Sequence, residues 1–132
     1  MPLLYPSWIE IPAADLERAR SFYQAVFGLS DTPQYDDPPA HIVVLLPSDK
    51  AVRAPGVSLV QSPTHTPSPH GPVVNFHLGD HAALEVVLRA VAQHGGQVAS
   101  ALVNTDDGVR YLTVRDSEGN HIALSSYEPI DL

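Results

Sequence analysis

The feature that most constrains the fold of this chain is a pattern that occurs twice, once in each half. A short strand-like stretch leads into an amphipathic helix, which begins after an Asp and ends at a Gly, and further strand-like stretches follow. Matching features lie 65 to 67 residues apart: Trp8 and Asn75 in the first strands, Asp15 and Asp80 before the helices, and Gly28 and Gly95 after them. A near-constant offset of this kind indicates an internal duplication.

The duplication predicts a single domain over residues 1–132, made of two βαβββ modules at about 1–61 and 73–132. Strand-like runs rich in apolar and β-branched residues lie at 7–12, 41–47, 56–62, 73–79, 97–103, 109–116 and 120–126, with a weaker one near 32–35. The acidic, Pro-rich stretch 31–39 predicts a surface flap. Residues 62–72 contain four Pro and one Gly, which predicts an irregular linker between the modules.

Composition narrows the class of protein. The chain has no cysteine, which excludes a disulfide framework, a thiolate metal site and a cysteine nucleophile. With 7 Lys and Arg against 15 Asp and Glu, the formal net charge of −8 opposes binding to phosphate backbones, so nucleic acid is not expected as a partner. No apolar run approaches the ~18 residues of a membrane span, and we expect a cytoplasmic protein without a membrane partner.

Three segments resemble a known group of proteins. The run IPAADLERARSFYQAVFG, the HGGQV that follows the second helical stretch, and the closing VRDSEGNHIALSS together resemble the glyoxalase, bleomycin-resistance and extradiol-dioxygenase group, the vicinal oxygen chelate superfamily. The resemblance implies an α+β fold in which the two βαβββ modules form cup-shaped, curved mixed sheets with helices on the outside. It also implies a homodimer, with small-molecule sites inside the cups.

In metal-dependent relatives, the resemblance places ligands on the first and last strands of each module. Carried over to this chain, those positions fall on Trp8, Ser58, Asn75 and Ala123. None of these is an imidazole or a carboxylate, which a divalent metal normally needs. The sequence therefore predicts no metal and no cofactor at these positions, and argues against a standard glyoxalase or extradiol dioxygenase. It is more similar to short relatives that begin with W-x-E-I-P and end in A-L-x-S.

Strand alternation identifies two ionisable residues as candidates for a site. It places Glu10 on the same face as Trp8, and His77 on the same face as Asn75. If these faces line the cup, Glu10 and His77 could share a proton as general base and acid, or supply two metal ligands. The alternative is that Glu10 pairs with a nearby Arg or backbone donor and that His77 is a hydrogen-bonded histidine in a polar cavity.

Other histidines and Trp8 carry weaker signals. His65 and His70 bracket TPSP in the linker, which could hold both imidazoles over the mouth of the cup, although solvent-exposed side chains without a role are the commoner case and the one we expect. His121 follows the G-N turn and alternates with Ala123, which places it near the cup rim. Trp8 either offers a stacking wall for a flat ligand or fills the space that a metal and its ligands would occupy.

Three hypotheses for function follow. The first is metal-independent binding of a small molecule in a cup lined by Trp8, Glu10, Ser58, Asn75, His77 and Ala123. The second is a lyase or isomerase that uses Glu10 and His77, with or without a metal of unusual ligation. The third is a structural or regulatory dimer whose cup is filled by side chains, which predicts no ligand-sized cavity.

Overall fold

The computed structural model describes residues 2–130 and has the predicted order of elements. The first module contains β1 (Trp8–Pro12), α1 (Leu16–Phe27), β2 (Gln34–Asp37), β3 (Ala40–Leu46) and β4 (Gly56–Gln61). The second contains β5 (Val74–His77), α2 (His81–Gln93), β6 (Gln97–Val98), β7 (Val103–Asn104), β8 (Val109–Arg115) and β9 (His121–Tyr127). The predicted α+β class is confirmed.

Each module forms its own mixed sheet. The strand order is β1-β4-β3-β2 in the first sheet and β5-β9-β8-β6 in the second, where β7 also pairs with β8. In both sheets the first strand runs parallel to the last, so Glu10 pairs with Ser58 and Asn75 pairs with Ala123. A parallel pair needs a long crossover connection, and the helix supplies part of it in each module.

The helices begin and end where the sequence predicts. The Asp15 side chain accepts a hydrogen bond from the backbone N–H of Arg18 at 3.1 Å, and Gly28 ends α1 in the left-handed conformation with a φ of 66°. Asp80 accepts from the N–H of Ala83 at 2.9 Å in the same way at the start of α2. No helix within residues 2–130 has the length and hydropathy that crossing a membrane requires.

The hydrophobic core lies between the helices and one face of each sheet. Its side chains come from both modules and include Ile11, Phe22, Leu59, Leu84 and Leu124. The rings of Phe27 and Phe76, one from each module, pack with their centroids 5.5 Å apart. The opposite face of the sheets carries the alternating residues, among them Trp8, Glu10, Asn75 and His77, and none of these four belongs to the core cluster.

Two predicted segments differ in the structure. Residues 97–103 were predicted as one strand, but they form two strands of two residues separated by an irregular stretch. The N–H groups of Ala99 and Ser100 both hydrogen-bond to the carbonyl of Thr113, which breaks the strand register at that point. Residues 31–39 were predicted mainly as an irregular flap, whereas β2 occupies Gln34–Asp37 because it pairs with β3 along its whole length.

A turn from the second module holds the first module in place. Residues 116–120, the 116–120 turn, place Glu118 against the start of α1, where its Oε1 accepts from the N–H of Ala14 at 3.0 Å and of Asp15 at 2.8 Å. Arg18 donates to the same carboxylate through Nε at 2.8 Å. Burial alone would raise the pKa of Glu118, but the hydrogen bonds from Arg18 and Asp15 outweigh it and leave that pKa below its usual value.

A buried carboxylate in the same turn ties both modules together. Asp116 accepts from the hydroxyl of Tyr23 on α1 at 2.7 Å and from Nδ2 of Asn120 at 3.0 Å. Asn120 also donates to the carbonyl of Pro12 at 2.7 Å. Burial raises the pKa of Asp116 despite these hydrogen bonds, and burial together with the negative charge of Asp116 raises the pKa of Tyr23 well above its usual value.

Candidate functional site

Trp8 lies flat across the neighbouring strand. The residue is 41% exposed, and its ring covers Gly56 on β4, where an added Cβ would overlap the six-membered part of the indole. Only a glycine lets the ring approach the backbone this closely. Trp8 therefore belongs to the sheet face that carries Glu10, and it is the single tryptophan of the chain.

Gly56→Ala is expected to push the Trp8 ring off β4 and to shift its fluorescence emission to longer wavelength. The ring is at the exposed end of a side chain that can move, so the free energy of unfolding should change by only about 1 kcal/mol. Emission spectra and urea unfolding measure the two effects. An unchanged emission spectrum would show that the indole does not rest on Gly56.

The imidazole nearest to Glu10 comes from the linker. Nε2 of His65 lies 3.5 Å from Oε2 of Glu10, and the two side chains are 25% and 47% exposed. The Oγ of Ser62 lies 2.6 Å from Nδ1 of the same imidazole, and the N–H of His65 donates to the carbonyl of Ser62. The tight turn at 62–65 thus fixes the ring of His65 with one nitrogen on a hydroxyl and the other facing a carboxylate.

A cavity of about 260 Å³ opens beside Glu10, and we call it the Glu10 cavity. Its walls come from β1, from the linker and from the start of β5 and β9. Most of the lining is apolar, and the polar groups are few: Glu10, Thr66, Ser68, Asn120 and His121. Nε2 of His121 is buried and has no hydrogen-bond partner within residues 2–130. Few polar groups in an apolar concavity are typical of small-molecule sites.

A second cavity, more open and of about 520 Å³, lies on the other side of the linker turn, and we call it the Ser62 cavity. Gln61, Ser62, His65 and His41 line it, and Thr66 lines both cavities. Nδ1 of His41 lies 2.8 Å from Oδ1 of Asp36, and the hydrogen bond between them lowers the pKa of Asp36. Residues 2–130 therefore enclose cavities of ligand size, whereas the hypothesis of a filled cup predicts none.

The predicted site residues lie on the expected sheet faces but not in one group. Ser58 is fully buried next to Glu10, and its Oγ has no hydrogen-bond partner in the described part of the chain. Ser125 donates to Oδ1 of Asn75 at 3.1 Å and lies 3.4 Å from Nδ1 of His77. Ala123 pairs with Asn75 and is buried.

His77 and Glu10 line different cavities. His77 borders an apolar cavity of about 180 Å³ whose other walls include Tyr23, Phe27 and Phe76, and Glu10 is not part of it. No ion pair or hydrogen bond joins Glu10 to His77 among residues 2–130. Sequence alternation placed both residues on the correct strands, but it missed His65, because the path of an irregular linker leaves no periodic signal.

The residues present do not fit the metal site that the family resemblance implies. Trp8 and Ala123 offer no donor atom, and Ser58 and Asn75 offer only neutral oxygens. Within residues 2–130 no group of three or more His, Cys, Asp and Glu side chains lies close enough together to hold a metal ion. Glu10 and His65 supply two donors, fewer than a protein site for a divalent metal normally has.

The matching family model and the similar solved structures name the same family. The model of the Glyoxalase/Bleomycin resistance protein/Dioxygenase superfamily matches residues 6–124. A glyoxalase/bleomycin resistance protein/dioxygenase domain from Frankia sp. EAN1pec superposes with a TM-score of 0.73 at 12% identity, covering 96% of this chain and 94% of that one. No curated protein matches the chain.

Two further solved structures show the same fold. A glyoxalase family protein from Bacillus cereus superposes with a TM-score of 0.69 at 16% identity and covers 96% of both chains. A glyoxalase/bleomycin resistance protein from Albidiferax ferrireducens T118 gives 0.63 at 18% identity, with 92% of this chain and 98% of that one covered. At these identities the likeness establishes the fold, and the chemistry has to come from the residues of this chain.

Proposed function

Because the chain belongs to the Glyoxalase/Bleomycin resistance protein/Dioxygenase superfamily, we propose that it binds a small molecule without a metal, and that the Glu10 cavity is the site. The observation that carries this proposal is the composition of the cavity wall. One partly exposed carboxylate lies among apolar side chains, with the hydroxyls of Thr66 and Ser68 nearby. Such a wall suits a ligand with an apolar body and a hydrogen-bond donor or an amine that faces Glu10.

The proposal favours binding over proton transfer by Glu10 and His77. A general acid and base must both reach the reacting atoms, and these two residues line different cavities. Lyase or isomerase activity of this pair stays a prediction. Turnover by wild-type protein that Glu10→Gln and His77→Ala each abolish, without loss of fold, would support it.

Glu10→Gln is expected to weaken ligand binding at least ~10-fold, because the amide keeps the shape of the side chain but loses its charge. A thermal-shift screen of small amines and amides first finds a ligand, since a ligand at about 100 times its Kd stabilises the fold by about 2.7 kcal/mol. Isothermal titration calorimetry then compares wild type, Glu10→Gln and the control Glu85→Gln on the exposed face of α2.

The same titration is run with and without a chelator. The proposal expects one saturable site, an affinity that the chelator does not change, and a control variant that binds like wild type. Binding that disappears in the chelator, or that Glu10→Gln leaves intact, would contradict the proposal. In the first case a metal is needed, and in the second the ligand occupies another cavity.

We further propose that the protein is a homodimer. Large apolar side chains on the sheet faces away from the helices are 41–50% exposed, namely Trp8, Tyr35, Tyr111 and Tyr127. Exposed aromatic side chains in such numbers are typical of interaction surfaces. Light scattering after size exclusion measures the mass, for which a dimer predicts twice the 14.2 kDa of the chain.

A further inference from the structure

Two residues that line the Ser62 cavity, Ser62 and His65, supply the hydroxyl and the imidazole of a covalent catalyst, and Glu10 of the neighbouring Glu10 cavity supplies the carboxylate. A hydroxyl, an imidazole and a carboxylate lie in sequence: Ser62 Oγ is 2.6 Å from His65 Nδ1, and His65 Nε2 is 3.5 Å from Glu10 Oε2. We propose that Ser62 is an activated nucleophile, and that the protein transfers the acyl group of small activated esters through an acyl-Ser62 intermediate. The order hydroxyl, base and orienting acid defines such a site, whatever the positions in the sequence.

The tautomer of His65 follows from its neighbours. A carboxylate can only accept hydrogen bonds, so Nε2 of His65, which faces Glu10, carries the proton. Nδ1 is then the basic nitrogen. Nδ1 lies at hydrogen-bond distance from the Ser62 hydroxyl, which is the geometry that a general base needs. The distance from Nε2 to Glu10 is longer than a usual hydrogen bond, so at rest the carboxylate orients the ring by its charge. Glu10 is therefore a positioning residue.

A donor for the developing oxyanion lies in the same cavity. Gln61 precedes Ser62 and lines the cavity with it, and its Oε1 accepts from the N–H of Leu16 at 2.8 Å. That hydrogen bond fixes the side-chain amide, whose Nε2 makes no hydrogen bond within residues 2–130. An amide N–H that lines the same cavity as the nucleophile is the kind of donor that stabilises the negative charge of a tetrahedral intermediate.

The chemical steps balance with the ester and water alone. Ser62 Oγ forms a bond to the acyl carbon while its proton passes to Nδ1 of His65, and the carbonyl electron pair moves to oxygen. When the carbonyl re-forms, the bond to the alkoxide or phenoxide breaks, and this leaving group takes the proton from His65. Water then repeats the attack with His65 as base, which releases the carboxylic acid and restores Ser62.

The first experiment treats the protein with an alkyl fluorophosphonate. Ser62 Oγ forms a bond to the phosphorus of this reagent, and fluoride leaves. We expect one label per chain, and peptide mass spectrometry should place it on Ser62. Ser62→Ala should take no label there, and the exposed Ser48→Ala should react like wild type. His65→Gln should slow labelling about 100-fold, the loss expected when a general base is removed. Label elsewhere, or an equal rate in His65→Gln, would overturn the proposal.

The role of Glu10 is tested by charge rather than by shape. Glu10→Asp keeps the charge on a shorter side chain, and Glu10→Gln keeps the shape without the charge. We expect Glu10→Asp to label faster than Glu10→Gln, which should be about 10-fold slower than wild type with an unchanged melting temperature. Equal rates in the two variants would rule out the orienting charge.

Turnover and ligand binding are separated by a third measurement. With p-nitrophenyl acetate, wild type should show a burst of p-nitrophenolate and an acetyl group on Ser62, and Ser62→Ala should show neither. The same Ser62→Ala protein should bind the ligand of the Glu10 cavity as wild type does, because Ser62 does not line that cavity. Absence of the burst in wild type overturns acyl transfer, whereas loss of ligand binding in Glu10→Gln alone concerns the proposed function.

Discussion

Replacing Asp116 by alanine is expected to lower the free energy of unfolding by about 3–5 kcal/mol, more than we expect for Glu118→Gln or Gly56→Ala. The carboxylate is 3% exposed and accepts four hydrogen bonds. Tyr23 and the side chain of Asn120 donate to Oδ2, and the backbone N–H groups of Glu118 and Asn120 donate to Oδ1. Alanine leaves these donors without an acceptor, and an unpaired buried donor costs about 1–3 kcal/mol.

Urea unfolding at pH 7 measures this loss, which should lower the melting temperature by roughly 10–15 °C in a domain of this size. Tyr23→Phe removes one of the four donors and should cost about 1–2 kcal/mol. The control is Asp31→Ala, an exposed carboxylate that makes no side-chain hydrogen bond within residues 2–130. If Asp116→Ala unfolds within 1 kcal/mol of this control, the 116–120 turn does not hold the modules together.

Glu118→Gln is expected to cost about 2 kcal/mol at pH 7 and almost nothing at strongly acidic pH. The carboxylate accepts from two N–H groups at the start of α1, where the helix dipole favours a negative charge. Its ion pair with Arg18 contributes less, because the Arg18 side chain is 55% exposed. The amide of Gln keeps one carbonyl oxygen but loses the charge that both N–H groups face.

The direction of the pH effect follows from the lowered pKa of Glu118. The contribution of its charge is complete above the pKa of the unfolded chain, about 4.3, and is lost as the pH falls through the lower pKa of the folded protein. The raised pKa of Asp116 has the opposite effect on the pH dependence of stability, because protonation of Asp116 favours the folded state. Asp116 is present in both proteins, so the difference between wild type and Glu118→Gln isolates Glu118.

The measurement is a series of urea unfolding curves for both proteins between pH 7 and pH 2. Wild type and Glu118→Gln should differ at neutral pH and converge as Glu118 becomes protonated. A difference that stays constant over this range would mean that shape, rather than charge, accounts for the effect of Gln.

The elements of this fold could be predicted from the sequence because each has a local signal. Asp15 and Gly28 set the ends of α1, and runs rich in apolar and β-branched residues identify β3, β4, β8 and β9. The split of the predicted strand at 97–103 could not be predicted, since it depends on the carbonyl of Thr113 taking two N–H groups from another part of the chain. Local propensity contains no information on such a partner.

Of the candidate site, only the residues on strands could be predicted from the sequence. Alternation placed Glu10 and Trp8 on one face, and the resemblance identified the four positions that lack metal ligands. The contact between Glu10 and His65 was missed because it joins a strand to an irregular linker, about 55 residues away along the chain. The role of the 116–120 turn was also missed, since the D-x-x-G-N pattern predicts only a turn and its helix-capping contact is made in the other module.

The walls of the Glu10 cavity come from both modules and from the segment that joins them. One wall comes from β1, another from the linker, and the third from β5 and β9. A protein made of one βαβββ unit would have had a single wall of this cavity and no linker at all. Because the walls come from both modules and from the linker, any change in how the two modules pack also changes the shape of this site.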